Sequence, residues 1–194
     1  MQRLALGEEA ALAELYARWS KPLHRFLVGM CSDPALAEDM VQEVFLRVWR
    51  AAPRYQPTAK FSTWLFHVAR NHWLNEREKR MHRLKPLSLD RAGPDDDEPS
   101  IDAPDPRART PDEAALANEL GARIQRAVDR LPEKLRETWA LAVREGLPYP
   151  EVAEILDIPL GTVKSRMFQA MRLLRDDLAQ YVGPEEKESP DELR

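Results

Sequence analysis

The sequence predicts an all-α protein of two small helical domains joined by a flexible, acidic, proline-rich linker. Three observations carry this. Apolar residues recur at spacings of three and four over long stretches, and no segment shows the apolar/polar alternation of a half-buried strand. Residues 85–117 contain Pro86, Pro94, Pro99, Pro104, Pro106 and Pro111 and the acid run from Asp95 to Glu98, a composition that cannot bury enough apolar surface to offset chain entropy. The 194 residues, 43% of them hydrophobic, suffice for one good core or two small ones, and the linker favours two.

The charge pattern agrees with this division. The chain is acidic overall, with a formal net charge of −4. Residues 1–84, however, carry 13 Lys/Arg against 9 Asp/Glu, and residues 118–182 balance at 10 against 10. The acidity lies in the linker, with 4 against 9, and in the tail 183–194, with 2 against 5, which reads as disordered. A negative total therefore does not argue against nucleic acid, because a local basic stripe matters more than a sum.

In the first domain, residues 8–31 read as a helix. Asp33 and Pro34 then supply an N-cap and a proline at the first helical position. The helix they open places Leu36, Met40, Val41, Val44, Phe45 and Val48 on one face and Asp39, Gln42, Glu43, Arg47 and Arg50 on the other. A loop, PRYQPTAK, leads to a further helix, with Phe61, Leu65, Val68, Ala69 and His72 on one side and Thr63, His67, Arg70, Asn71 and Leu74 on the other. After the linker, ALANELGARIQRAVDRL reads as a helix, Pro132 opens EKLRETWALAVREG, and Gly146 closes it.

The last stretch carries the most specific signal. EVAEIL, DIPLG and TVKSRMFQAMRLLRDDL have the form of a helix-turn-helix, a short helix and a tight turn before a second helix able to enter a major groove. Winding that helix at about 100° per residue turns Val163, Met167, Ala170, Leu174 and Leu178 inward. Ser165, Gln169 and Arg172 then point outward, flanked by Lys164, Arg166 and Phe168. The helix starts with Thr162, Lys164 and Arg166 and no carboxylate, although a helix N-terminus favours acids. DNA phosphate would supply the missing negative charge, and the outward side chains would read base edges.

Other function classes find little support. His24, His67, His72 and His82 form no metal-ligand pattern with Cys31, no glycine-rich phosphate loop is present, and no nucleophile sits in a recognisable turn. The expectation is a protein that is not an enzyme and needs no cofactor. A lone cysteine allows no internal disulfide, no apolar run approaches the roughly 18 residues of a membrane span, and MQRLALGEEAALAEL lacks a signal-peptide pattern. A cytoplasmic protein without direct membrane insertion is expected. A two-component regulator also carries a helix-turn-helix, but it needs an α/β receiver domain that the first half does not supply. A helical adaptor binding only proteins is the remaining alternative, and it would not make RNA polymerase core initiate at a defined promoter.

The blocks AEDMVQEVFLRVWR, FSTWLFHVARNHWLNERE and LPEKLRETWALAVREGLPYPEVAEILDIPLGTVKSRMFQAMRLL, in this order around a variable linker, resemble an extracytoplasmic-function (ECF, group IV) sigma factor of the sigma-70 family. The resemblance covers about residues 8–84 and 116–182. It implies a sigma-2-like domain over 1–84, the linker over 85–117 and a sigma-4-like domain over 118–182. It further implies that Asp39, Gln42 and Glu43 contact the coiled coil of the polymerase β′ subunit. Arg54, Tyr55, Lys60, Trp64, His67, Arg70 and Asn71 would hold the melted −10 element, through cations along the strand and a stacking surface for an extruded base. Trp64 has a spacing that suits stacking and core packing equally, and Trp73 suits a helix junction. Thr162, Lys164, Ser165, Arg166, Gln169 and Arg172 would serve the −35 element. The implied partners are RNA polymerase core, through β′ and β, promoter DNA, and an anti-sigma factor. Gln169 and Met171 stand where family members commonly carry arginine, which weakens phosphate attraction by that helix and makes tethering to polymerase more important. Asp157 replaces a frequent turn glycine or asparagine, and it tolerates the left-handed conformation better than most residues.

Overall fold

A computed structural model describes residues 1–84 and 111–179, with side chains for 1–82 and 119–179. The acidic stretch 85–110 and the residues from 180 onward lie outside the described residues, and with them most of the expected linker and all of the expected tail. Among the described residues every regular element is helical: α1 (Gln2–Ala5), α2 (Glu9–Cys31), α3 (Pro34–Ala51), α4 (Phe61–Leu84), α5 (Pro111–Asp129), α6 (Glu133–Trp139), α7 (Tyr149–Leu156) and α8 (Leu160–Ala179). A 3₁₀ turn, Ala52–Arg54, follows α3, and a π-helical turn, Ala140–Arg144, extends α6.

The helix boundaries follow from local chemistry. Asp33 caps α3, its Oδ1 accepting from the Leu36 N–H at 3.0 Å, with Pro34 in the first turn where no N–H is needed. Ser32 ends α2 in the left-handed region at φ 55°, its N–H donating to the Val28 carbonyl. Gly146 takes φ 65° after the π turn, a conformation open to glycine at little cost.

Three local expectations need correction. The short helix α1 was not visible in the sequence pattern, because four residues are too few to show a period. Helix α5 starts at Pro111, inside the stretch read as linker, since proline fits the first helical turn as well as a linker. The helix expected to run straight to Gly146 changes to π geometry, with the Glu145 N–H bonded to the Ala140 carbonyl at 3.0 Å.

The apolar face of α3 is as the spacing requires: Met40, Val41, Val44, Phe45 and Val48 are buried, and Leu36 is partly so. They pack on Leu23, Phe26, Leu27 and Met30 of α2 and on Leu65, Phe66 and Ala69 of α4. Edge-to-face aromatic contacts tie α2 to α4, with Phe26 and Phe66 centroids 5.5 Å apart.

The core does not divide as the two-core expectation required. The cluster around α2, α3 and α4 continues into Ala140, Leu141, Val152, Ile155, Leu156, Val163 and Met167 of the second half. Only a smaller cluster of Ala127, Val128, Leu131, Leu135, Ala170 and Leu174 belongs to α5, α6 and α8 alone. Apolar residues on α6 and α7 therefore have two walls to pack on, one from each domain.

Candidate nucleic-acid interfaces

The helix-turn-helix consists of α7, the turn and α8. Asp157 closes α7 at φ 51°, ψ 52°, and the Ile158 N–H reaches back to the Ala153 carbonyl at 3.1 Å. On α8, Val163, Met167, Ala170 and Leu174 are buried and Leu178 packs partly on the smaller cluster. This fixes the rotation of the helix. Lys164, Ser165, Phe168, Gln169 and Arg172 are consequently exposed, Phe168 at 72%, while Thr162 and Arg166 are half-buried. The first turn of α8 holds no acid. The Ser165 hydroxyl donates to the Thr162 carbonyl at 3.0 Å, within its own helix.

The second surface comprises α4 and the segment before it. Tyr55, half-buried, tilts edge-on to Trp64 at 4.9 Å and approaches Phe61 at 6.4 Å. Tyr55, Trp64 and His67 line a shallow cavity of about 150 Å³ together with Glu154 of α7. Asn71 lies within 3.4 Å of the His67 ring one turn away. Arg54 is exposed. Trp73 is buried, and its Nε1 has no hydrogen-bond partner.

The rest of this face meets protein. Lys60 Nζ lies 2.5 Å from Glu151 Oε1, and the Thr63 hydroxyl donates to Glu151 Oε2 at 3.0 Å. Arg70 Nε donates to Glu137 Oε1 at 2.5 Å, and Arg77 pairs with Glu133. The sequence reading placed Thr63 on the open side of α4; it is buried, because α7 covers it. Burial pushes the Glu137 carboxyl above its ordinary value, against the opposing pull of Arg70 and Arg166. Glu133, Glu137 and Glu151 were missed as partners of this face. The i, i+4 spacing of Glu133 and Glu137 was available, but nothing local says which cations, 56 and 67 residues earlier, they meet.

The third surface is the polar face of α3. Asp39 and Gln42 are exposed. Glu43 is half-buried between Arg47, at 3.2 Å, and Arg50, at 3.9 Å. Leu46 and Trp49 are exposed apolar side chains on the same helix.

Comparison with known proteins places these surfaces in a family. A model described as Sigma-70 region 2 matches residues 15–83, and one described as Sigma-70, region 4 matches residues 121–174. The ECF RNA polymerase sigma factor SigE of Mycolicibacterium smegmatis is 33% identical over 91% of this chain, which spans 66% of that protein's length. The ECF RNA polymerase sigma-E factor of Escherichia coli is 29% identical over 88% of this chain and 87% of its own. Among solved structures, the sigma factor RpoE of Bartonella quintana, in complex with the anti-sigma factor NepR, superposes with a TM-score of 0.65 at 21% identity, covering 86% of this chain and 95% of that one. CnrH, in complex with the cytosolic domain of CnrY, gives 0.61 at 21% identity, covering 92% and 94%. These two likenesses establish the fold, and the sequence matches go further. With region 2 and region 4 both present and in order, the chain belongs to the sigma-70 family, as a sigma factor of its extracytoplasmic-function group.

Proposed function

We propose that the chain binds RNA polymerase core through α3, reads a −35 element with the outer face of α8, and holds a melted −10 strand with α4 and the segment before it. The observation that carries this is the exposed row Lys164, Ser165, Gln169 and Arg172 on a helix whose first turn lacks any acid. Such a helix end attracts phosphate, and the row behind it presents donors and acceptors to base edges. Tyr55 and Trp64 supply the stacking surface, with cations along the same helix. Asp39 and Gln42, exposed beside Leu46 and Trp49, form the polymerase contact.

The chain works in the cytoplasm; no described helix is long and apolar enough to cross a membrane. The structural relatives were captured with anti-sigma factors, which supports a partner of that kind here. Run-off transcription with purified core enzyme on a genomic fragment library tests the reading and returns the promoter. Replacing Asp39 and Gln42 together by Ala should weaken core binding while leaving helix content by circular dichroism unchanged. Unaltered core affinity would remove these residues from the interface.

A further inference from the structure

The strand-binding face of α4 is covered by the chain's own C-terminal half. Along α4 the cations and hydroxyl facing that half are Lys60, Thr63, Arg70 and Arg77, and each is met by a carboxylate: Glu151, Glu151 again, Glu137 and Glu133. Glu154 closes the side of the cavity formed by Tyr55, Trp64 and His67. Beneath these pairs the apolar contact is continuous, since Val152, Ile155 and Leu156 belong to the same core as Leu65, Phe66 and Ala69. Carboxylates spaced along a cationic helix face present the charge that a nucleic-acid backbone presents.

We propose that the C-terminal domain inhibits the free protein, with Glu151 and Glu137 occupying the positions on α4 where strand phosphates bind. The device rests on the reading of α4 as the strand-binding face. It is one-sided. The outer row of α8 points away from the contact and stays exposed, so the closed chain can engage duplex through α8 but cannot hold a single strand on α4. Opening separates α4 from α7, and the apparent affinity for a strand is reduced by the fraction of molecules that are open.

The Lys60–Glu151 pair allows a test without mutation. A water-soluble carbodiimide activates the Glu151 carboxyl as an O-acylisourea. The Lys60 amine attacks its carbonyl carbon, an amide forms, the urea leaves and a proton passes to solvent. Peptide mass spectrometry of the free full-length chain should find this intramolecular link, with the Lys79–Glu76 pair, 2.7 Å apart within α4, as internal control. The linked protein should lose binding to a randomised single-stranded DNA pool and keep its binding to a randomised duplex pool. In parallel, Glu137→Gln with Glu151→Gln should bind the single-stranded pool about tenfold more tightly than wild type if about a tenth of wild-type molecules are open. A charge-matched control, Glu38→Gln with Asp176→Asn, both exposed and away from the contact, should show little of this gain. Glu151→Gln alone repeats the measurement should the double variant fold poorly.

A control link at Lys79–Glu76 without one at Lys60–Glu151 overturns the closed state, whatever the DNA results. A Lys60–Glu151 link without any strand-binding gain in the opened variants shows that α4 does not hold the strand. That outcome overturns the inhibition together with the reading on which it rests.

Discussion

Helices α4 and α8 each carry a face that the family resemblance assigns to promoter DNA, yet they stand in opposite conditions. On α8 the outer side chains Lys164, Gln169 and Arg172 are exposed; on α4, Arg70 retains only 17% of its side-chain surface and lies against Glu137, which retains 9%. The difference is not one of cation content. It arises from which neighbour each helix packs on. Helix α8 turns its apolar stripe inward and has solvent behind its polar side, whereas α4 is covered on its second side by α7. A cationic helix face thus indicates an anion, and only the packing tells whether the anion is nucleic acid or protein.

The largest expected effect tests the energetic side of this contrast. Removing one partner of a buried ion pair leaves an uncompensated charge and costs roughly 3–5 kcal/mol. Arg70→Ala should lower stability by about that amount in urea denaturation, and Arg70→Ala with Glu137→Ala should recover much of the loss. Lys60 is 70% exposed at its side chain, so its pair with Glu151 should couple by no more than about 1 kcal/mol. Similar coupling energies for the two pairs would mean that Glu137 is solvated and the closed contact looser than described.

On α8 the expected effects concern sequence reading. Losing a bidentate base contact costs roughly 1–3 kcal/mol and relaxes preference at one base pair, while losing a phosphate contact weakens all sequences about equally. Arg172→Ala or Gln169→Ala should therefore reorder a single-base −35 library in run-off transcription. Lys164→Ala should lower every variant by a similar factor and flatten the salt dependence by about one unit. If both reading-face variants leave the order intact, the helix is docked in another rotation.

The same two helices show what the sequence makes legible. The inward set of α8 and the apolar face of α3 follow from period alone, because each helix has a single buried stripe and the turn or cap before it is chemically marked. Asp157 in the left-handed turn and Asp33 at the cap were readable for the same reason. Helix α4 was only half readable. Its pattern is blurred by burial on two sides, so Thr63, polar and on the expected open face, is buried as deeply as neighbouring leucines. Contacts such as Lys60 to Glu151 join residues 91 positions apart, and no local period encodes them. The shared core was hidden likewise, because apolar residues on α7 are the same whether they face their own domain or the other one.

A smaller effect is expected at Tyr55. Stacking on one aromatic is worth roughly 1–3 kcal/mol per base, but Tyr55 already rests on Trp64, so its replacement leaves a stacking ring in place. Tyr55→Ala should slow open-complex formation, with partial recovery on a template carrying a pre-melted bubble. A defect equally severe on duplex and bubble templates would locate the damage in folding or polymerase binding.

The smallest effect separates the packing of α4 from its surface and is read through pH. His72 lies on the inner side of α4, buried, with no partner for Nδ1. Burial is the largest cause holding its pKa below the ordinary value; Arg47 of α3 and Lys79 of α4 add to the shift, while Glu43 of α3 and Glu76 of α4 oppose it. A base whose folded pKa is depressed stabilises the fold in its neutral form. That contribution is complete above the unfolded value of about 6.5 and declines as pH falls below it. The carboxyls of Glu137 and, buried near Arg25, Glu145 are shifted upward, so their linkage runs the other way, favouring the folded state towards lower pH. Those two groups titrate mainly nearer the carboxylate range, which leaves the interval from pH 7.5 to 6 to His72. The melting temperature of the wild type should fall across that interval, and His72→Gln should flatten the slope whatever it does to the absolute value. An unchanged slope in His72→Gln would mean that the imidazole already takes up its proton in the folded chain, and that the inner side of α4 is as hydrated as its outer side was expected to be.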